Sequence, residues 1–389
     1  MDWNAPHPIH LACARGNVPF LKEELLRLGL PVKSEVETGV ECAGTLADAM
    51  RLNLLLRTAN RVLLELARFN VRHPDPLYEA LRALPWENVI PADGYFTVTS
   101  FVQTPAIRDT RFANVRVKDA IVDRFRDRTG SRPDSGNERR GVVIFLYWNL
   151  GDARIYLDTS GESLSRRGYR KIPLAAPMQE TLAAAVVAAT GWDGSTHFVN
   201  PMCGSGTLAI EAALLAQGRP PGLLRSDFGF MHVQGFDDPT WRRTRAEARA
   251  LPRKALQGRI IATDNSPQAI ESARQNARTA GVEQLIEFTV CDFAETPVPE
   301  GGGVVILNPE YGERMGESQE LAAVYHRIGD FFKQRCKGYT GYVFTGNLAL
   351  GKKIGLRSSR RVPFYNGSIE CRLLGFALYE GSKRQKYAG

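Results

Sequence analysis

The 389-residue chain has no run of 18 or more uncharged apolar residues, so no segment is long enough to cross a bilayer as a helix, and no membrane partner is expected. Its first residues, Met1-Asp2-Trp3-Asn4, lack the basic start and apolar stretch of a secretion signal, which makes a cytoplasmic address the expectation. Cysteine is scarce and scattered. The six residues Cys13, Cys42, Cys203, Cys291, Cys336 and Cys371 form no C-x-x-C pair, and no histidine is spaced to complete a zinc site. Reduced thiols and no metal are therefore expected. Internal repeats and low-complexity tracts are absent too, which excludes solenoid architectures and compositionally biased linkers.

The composition that remains is globular: hydrophobic residues make up 43% and charged residues 24%. The length exceeds what one hydrophobic core usually supports, so two or three domains are expected. A net charge of +8 admits a polyanionic partner without demanding one.

Periodicity separates the chain into two styles. Before residue 170 helices and strands alternate in an α+β manner: a helix with Phe20, Leu21, Leu25 and Leu28 on one stripe ending at Gly29, a strand over 36–44, a helix over 46–56 and a strand over 61–69. A second such unit has a helix around 77–84, a strand at 95–101, a helix at 113–128, and strands at 141–148 and 153–158. After residue 175 long helical patterns alternate with short apolar strands at 197–200, 259–263, 286–290 and 304–307. That alternation implies a parallel sheet covered by helices on both faces.

Chemistry-bearing residues gather at the ends of those four strands. Asn200-Pro201-Met202-Cys203-Gly204-Ser205-Gly206-Thr207 joins a strand to a helix, where glycines admit a ligand close to the backbone and the helix N-terminus presents free N–H groups. Asp264 and Asn265 follow the second strand, where an acid can accept hydrogen bonds from both hydroxyls of a ribose. Asp292 and Phe293 follow the third, where a carboxylate suits an adenine amino group and an aromatic could cover the ring. Asn308-Pro309-Glu310-Tyr311 follows the fourth.

This set resembles the amino-methyltransferase branch of the class I methyltransferases, whose fourth strand ends in a D/N-P-P-Y/F motif. More narrowly, it is similar to the THUMP-domain guanine-N2 RNA methyltransferases, the group that includes the bacterial large-subunit ribosomal RNA enzymes. The likeness extends to 158–164 (DTSGESL), to Arg167-Gly168-Tyr169-Arg170, to 176–185 (APMQETLAAA), and to the insertion from Gly218 to Gly258. Glu310 departs from the pattern by standing where the second proline usually falls.

The resemblance implies a doubly wound, Rossmann-like class I methyltransferase sheet at 166–389, preceded by a ferredoxin-like domain at 1–68 and a THUMP RNA-binding domain at 69–165. It implies S-adenosyl-L-methionine as cofactor, held by Asn200, Met202, Cys203, Gly204, Ser205, Gly206, Thr207, Asp264, Asn265, Asp292 and Phe293. In this reading Asn308 and Pro309 accept the two N–H bonds of a base amine, and Tyr311 stacks on the extruded base. No metal or nucleophilic side chain is required. Two basic clusters suit RNA phosphates: Arg166, Arg167, Arg170 and Lys171, and then Lys352, Lys353, Arg357, Arg360 and Arg361. The expected product is N2-methylguanosine in 23S ribosomal RNA or a ribosome assembly intermediate. Alternatives are an adenine-N6 enzyme, a tRNA guanine-N2 enzyme, and a non-catalytic RNA-binding factor with a vestigial pocket.

Overall fold

The computed structural model describes residues 1–171, 178–252, 256–311 and 318–379. Ala176-Pro177 of the resemblance, and Gly312-Glu313-Arg314, which follow Tyr311 in sequence, lie outside the described residues. In chain order the first elements are β1 (His7–Cys13), α1 (Val18–Arg27), β2 (Ser34–Val36), β3 (Gly39–Gly44), α2 (Leu46–Leu55), β4 (Ala59–Asn70), α3 (Pro74–Arg82), β5 (Tyr95–Gln103), α4 (Thr110–Thr129), β6 (Asp134–Ser135), β7 (Val142–Asn149) and β8 (Asp152–Asp158). Then come α5 (Glu180–Ala189), β9 (His197–Pro201), α6 (Thr207–Ala216), α7 (Asp238–Ala250), β10 (Ile260–Asp264), α8 (Pro267–Ala280), β11 (Ile286–Val290), β12 (Gly303–Leu307), α9 (Ser318–Arg335), β13 (Tyr339–Thr345), α10 (Leu348–Lys353), β14 (Arg360–Asn366) and β15 (Ile369–Ala377).

These elements form two compact units. One takes Met1–Cys13, Leu21–Leu164 and Pro221–Ala250; the other takes Ala14–Phe20, Ser165–Pro220 and the chain from Leu251 onward. The family-like insertion thus contributes α7 to the first unit.

The first unit is built on an eight-stranded sheet ordered β2-β3-β1-β4-β8-β7-β5-β6. Strand alternation dictates its core: Ile9, Leu11, Val62, Leu64, Ile144, Leu146 and Ile155 are all fully buried. β4 runs through residue 68 and pairs with both β1 and β8, so one continuous sheet joins the two N-terminal α+β parts. β1 was not anticipated: Ile9, Leu11 and Cys13 follow the period of a strand, and the helix carrying Phe20, Leu21 and Leu25 begins at Val18 and ends at Arg27, before Leu28.

The second unit is a seven-stranded sheet ordered β11-β10-β9-β12-β13-β15-β14. β9 to β13 run parallel, while β15 pairs antiparallel with β13 and with β14. α6 is apolar nearly all round and nine of its ten residues are buried, as a helix covered on every side requires. α8 is amphipathic instead, opened by the Ser266 cap with Pro267 behind it and closed by left-handed Gly281. From β9 the chain steps outward to β10 and β11, then returns across β9 to β12. That reversal opens a crevice beyond the carboxyl ends of β9 and β12, the place where doubly wound sheets take their ligands.

Candidate functional site

Every acid and amide singled out in the sequence sits at that edge. The loop after β9 is tightly wound. Met202 adopts φ +55, one of two non-glycine residues in the left-handed region among the described residues, and such strain gathers at functional sites. Gly204 follows at φ +53, and a Cβ there would meet nothing within 4 Å, so a ligand can approach the bare backbone. Gly206 has a different reason to be glycine: at φ +82 its Cβ would lie 2.9 Å from the Ala273 Cβ of α8.

Asp264 ends β10 and fastens this loop. Its Oδ2 accepts from the Gly204 N–H at 2.9 Å and its Oδ1 from the Ser266 N–H at 3.0 Å. One lone pair on each oxygen remains for a diol. Asn265, beside it, is exposed. Cys203 lies in the same loop, but burial, reinforced by the Asp264 carboxylate, pushes its thiol well up, so it stays protonated and unreactive.

Asp292 follows β11 and is held from one side. Oδ1 accepts from the Ala294 N–H at 2.9 Å and from the Arg327 guanidinium at 2.7 Å, leaving Oδ2 without a hydrogen bond among the described residues. Partial burial, the largest single influence, would raise this carboxyl, but the Arg327 bond, the Ala294 N–H and the Arg327 charge together outweigh it and keep Asp292 below the usual carboxylate range.

Asn308 ends the β12 side of the crevice. Its side-chain oxygen is buried and accepts no hydrogen bond among the described residues. An orphaned buried acceptor is costly unless a ligand donor completes it. Pro309 is buried beside it, whereas Glu310 is exposed and, among the described residues, engages only through its carbonyl, which accepts from the Tyr325 hydroxyl at 3.4 Å. The Tyr311 hydroxyl accepts from Asn366 Nδ2 at 3.0 Å, and burial raises its pKa.

Several readings from the sequence require correction. Asn200 is not an exposed side chain: it is fully buried, its Nδ2 donates to the Ile306 carbonyl at 2.9 Å and so ties the two central strands together, and its Oδ1, like that of Asn308, accepts no hydrogen bond among the described residues. Phe293 does not offer a face to a ring: it is 5% exposed, edge-on to Phe331 and covered by the Arg327 guanidinium at 4.8 Å. Arg167 is not an RNA contact. It is 2% exposed and forms a two-pronged pair with Glu211 of α6 at 2.8 and 3.1 Å. Arg170 also turns inward, donating to the Met178 carbonyl at 2.6 Å and to the Thr207 hydroxyl at 3.1 Å. Arg166 and Lys171 of that cluster stay exposed, as do Lys352, Lys353, Arg357, Arg360 and Arg361.

Sequence reasoning missed the residues that hold the site in shape. Asn276 of α8 donates to the Ser205 carbonyl at 3.2 Å and accepts from the Lys171 N–H at 3.0 Å, pinning the glycine loop to the segment before α5. Glu211 accepts from both Arg167 and Tyr169. The one asparagine among the alanines of α8 and an acid in the apolar α6 were the available signals.

The parallel sheet, the strained loop at its switch point and the strand-end acids and amide define a class I methyltransferase fold. The chain belongs to the RMKL-like methyltransferase domain family, whose description matches residues 167–374. The RlmL ferredoxin-like domain matches residues 9–63 and the THUMP domain residues 71–158. The ribosomal RNA large subunit methyltransferase K/L of Syntrophotalea carbinolica is 40% identical over 387 residues, covering 97% of this chain and 54% of the relative. The chain therefore spans about half the length of the curated relatives it matches. Among solved structures, SMU.472, a methyltransferase in complex with SAH, superposes with a TM-score of 0.87 at 28% identity, covering 97% of this chain and 99% of that one. A predicted N6-adenine-specific DNA methylase from Listeria monocytogenes gives 0.86 at 30% identity, covering 97% of each. Among the described residues no helix is long and apolar enough to cross a membrane, and no group of three or more His, Cys, Asp or Glu is placed to hold a metal.

Proposed function

We propose that this chain transfers a methyl group from S-adenosylmethionine to the exocyclic N2 of a guanosine in RNA, with large-subunit ribosomal RNA as the substrate. The buried Asn308 oxygen, which has no partner among the described residues, carries this reading, because it stands at the switch point of the sheet where a donor can complete it. The strand ends suit the cofactor: Asp264 keeps a lone pair on each oxygen for the ribose hydroxyls, and Asp292 Oδ2 is available to an adenine amine. SAH, bound by the structural relative, is the demethylated form of that cofactor. S-adenosylmethionine supplies an activated methyl on a sulfonium leaving group.

The protein's own task is to make a poor nucleophile attack. A base amine delocalises its lone pair into the ring, and accepting its two N–H bonds at Asn308 Oδ1 and at the Pro309 carbonyl localises that pair toward the methyl. Tyr311 stacks on the extruded base. Alignment then supplies much of the acceleration. The THUMP match and the K/L-type relative support RNA over DNA. The Listeria relative, a predicted N6-adenine-specific DNA methylase, favours a second reading, methyl transfer to an adenine N6, since an Asn-Pro motif can hold either amine. Incubating the full chain with tritiated S-adenosylmethionine and, in parallel, unmodified ribosomal RNA or DNA tests the proposal: label in large-subunit RNA is expected, and label confined to DNA would overturn it.

A further inference from the structure

The Tyr311 ring is held by parts of the chain far from it in sequence, and none of them belongs to the motif that contains it. Asn366, at the end of β14, donates its Nδ2 to the Tyr311 hydroxyl at 3.0 Å, and the Cys371 sulfur of β15 lies 4.0 Å from the same oxygen. The ring itself fills the space a side chain would occupy at Gly346, just after β13: a Cβ there would fall 2.9 Å from Tyr311 Cδ2 and 3.0 Å from Cε2. β14 is anchored in turn, because Phe364 is fully buried, stacks on Phe20 at 5.6 Å and leans on Phe344 at 6.1 Å.

We infer that Asn366 is a positioning residue for methyl transfer: its amide fixes the plane of the Tyr311 ring in the notch at Gly346, so that the ring stands ready to stack on the incoming base. This rests on the functional reading above, in which Tyr311 is the stacking ring. A ring hinged only at its Cα–Cβ bonds would sweep through several orientations. The hydroxyl bond and the notch together select one, and the entropy of ordering the ring is met before the base arrives. The bond goes to the hydroxyl, not to the ring face, so the face remains available.

The test is a double-mutant cycle on the full chain, comparing Asn366→Ala, Tyr311→Phe and the pair, together with crystal structures of the single variants. Either single change should lower kcat by about three- to tenfold, the range one neutral hydrogen bond spans, with KM for RNA and cofactor affinity within about twofold. Asn366→Ala should add nothing in the Tyr311→Phe background, since the bond is already gone. A merely structural Asn366 would give losses that multiply. In the crystal of Asn366→Ala the Tyr311 ring should leave the notch or take more than one orientation. A ring unmoved there overturns the inference whatever the activity, whereas absence of methyl transfer by the parent chain, with the ring displaced in the variant, would strike only the functional reading.

Discussion

Asp264 and Asn308 stand at strand ends on either side of β9, yet they are expected to fail in different ways. Asp264 accepts from the Gly204 and Ser266 N–H groups and has lone pairs left for a ribose, so Asp264→Ala should weaken S-adenosylmethionine binding by roughly ten- to a hundredfold, measured by calorimetry. In the proposed reaction Asn308 accepts from the attacking amine, and that bond would strengthen as positive charge grows on nitrogen. Asn308→Ala should therefore lower the single-turnover rate by about a hundredfold while cofactor affinity holds. Equal loss in both measurements for either variant would erase the division between cofactor side and substrate side. These two residues were legible in the sequence because each directly follows an apolar strand. Phe293 was legible as a residue near the site but not in its role: its burial depends on Arg327 and Phe331, which lie on a helix more than thirty residues later.

At the scale of elements, the segment before α5 is bound to α6 by a buried ion pair. Arg167 and Glu211 are both almost wholly removed from solvent, and the Tyr169 hydroxyl donates to the same carboxylate at 3.1 Å. Removing one partner strands the other charge, so Glu211→Ala should lower stability by about 3 to 5 kcal/mol, read as a drop in the urea midpoint without a change in slope. A variant as stable as the parent would contradict the pairing. A run such as Arg166-Arg167-Gly168-Tyr169-Arg170-Lys171 reads as a basic surface patch, because sequence gives no sign of a carboxylate 44 residues away in an apolar helix. The parallel sheet was legible for a simpler reason: β9, β10, β11 and β12 are short apolar runs between helical patterns, and a parallel sheet accommodates that alternation. β1 went unseen although its period-two pattern is plain in Ile9, Leu11 and Cys13, because the helical stripe that follows begins only five residues later.

For the whole molecule, the net charge of +8 acquires a location: Lys352, Lys353, Arg357, Arg360 and Arg361 are all exposed, along the end of α10 and the start of β14. Neutralising Lys352, Lys353, Arg360 and Arg361 together should weaken RNA binding and flatten its dependence on salt, since fewer counterions are released, while the methylated position stays the same. A salt slope equal to the parent's would remove this surface from the interface. The division of the chain into units was only partly legible. The second unit recruits Ala14–Phe20 as well as the chain from Ser165, because Phe20 stacks on Phe364 and a Cβ at Gly16 would press to 2.7 Å from the Pro363 carbonyl oxygen. Such packing between ends of a chain leaves no trace in local periodicity. The central claim, methyl transfer to a guanine amine in ribosomal RNA, is tested most directly by the product nucleoside. Large-subunit RNA methylated by the full chain, digested and separated by chromatography, should yield N2-methylguanosine, and N6-methyladenosine in its place would contradict the account.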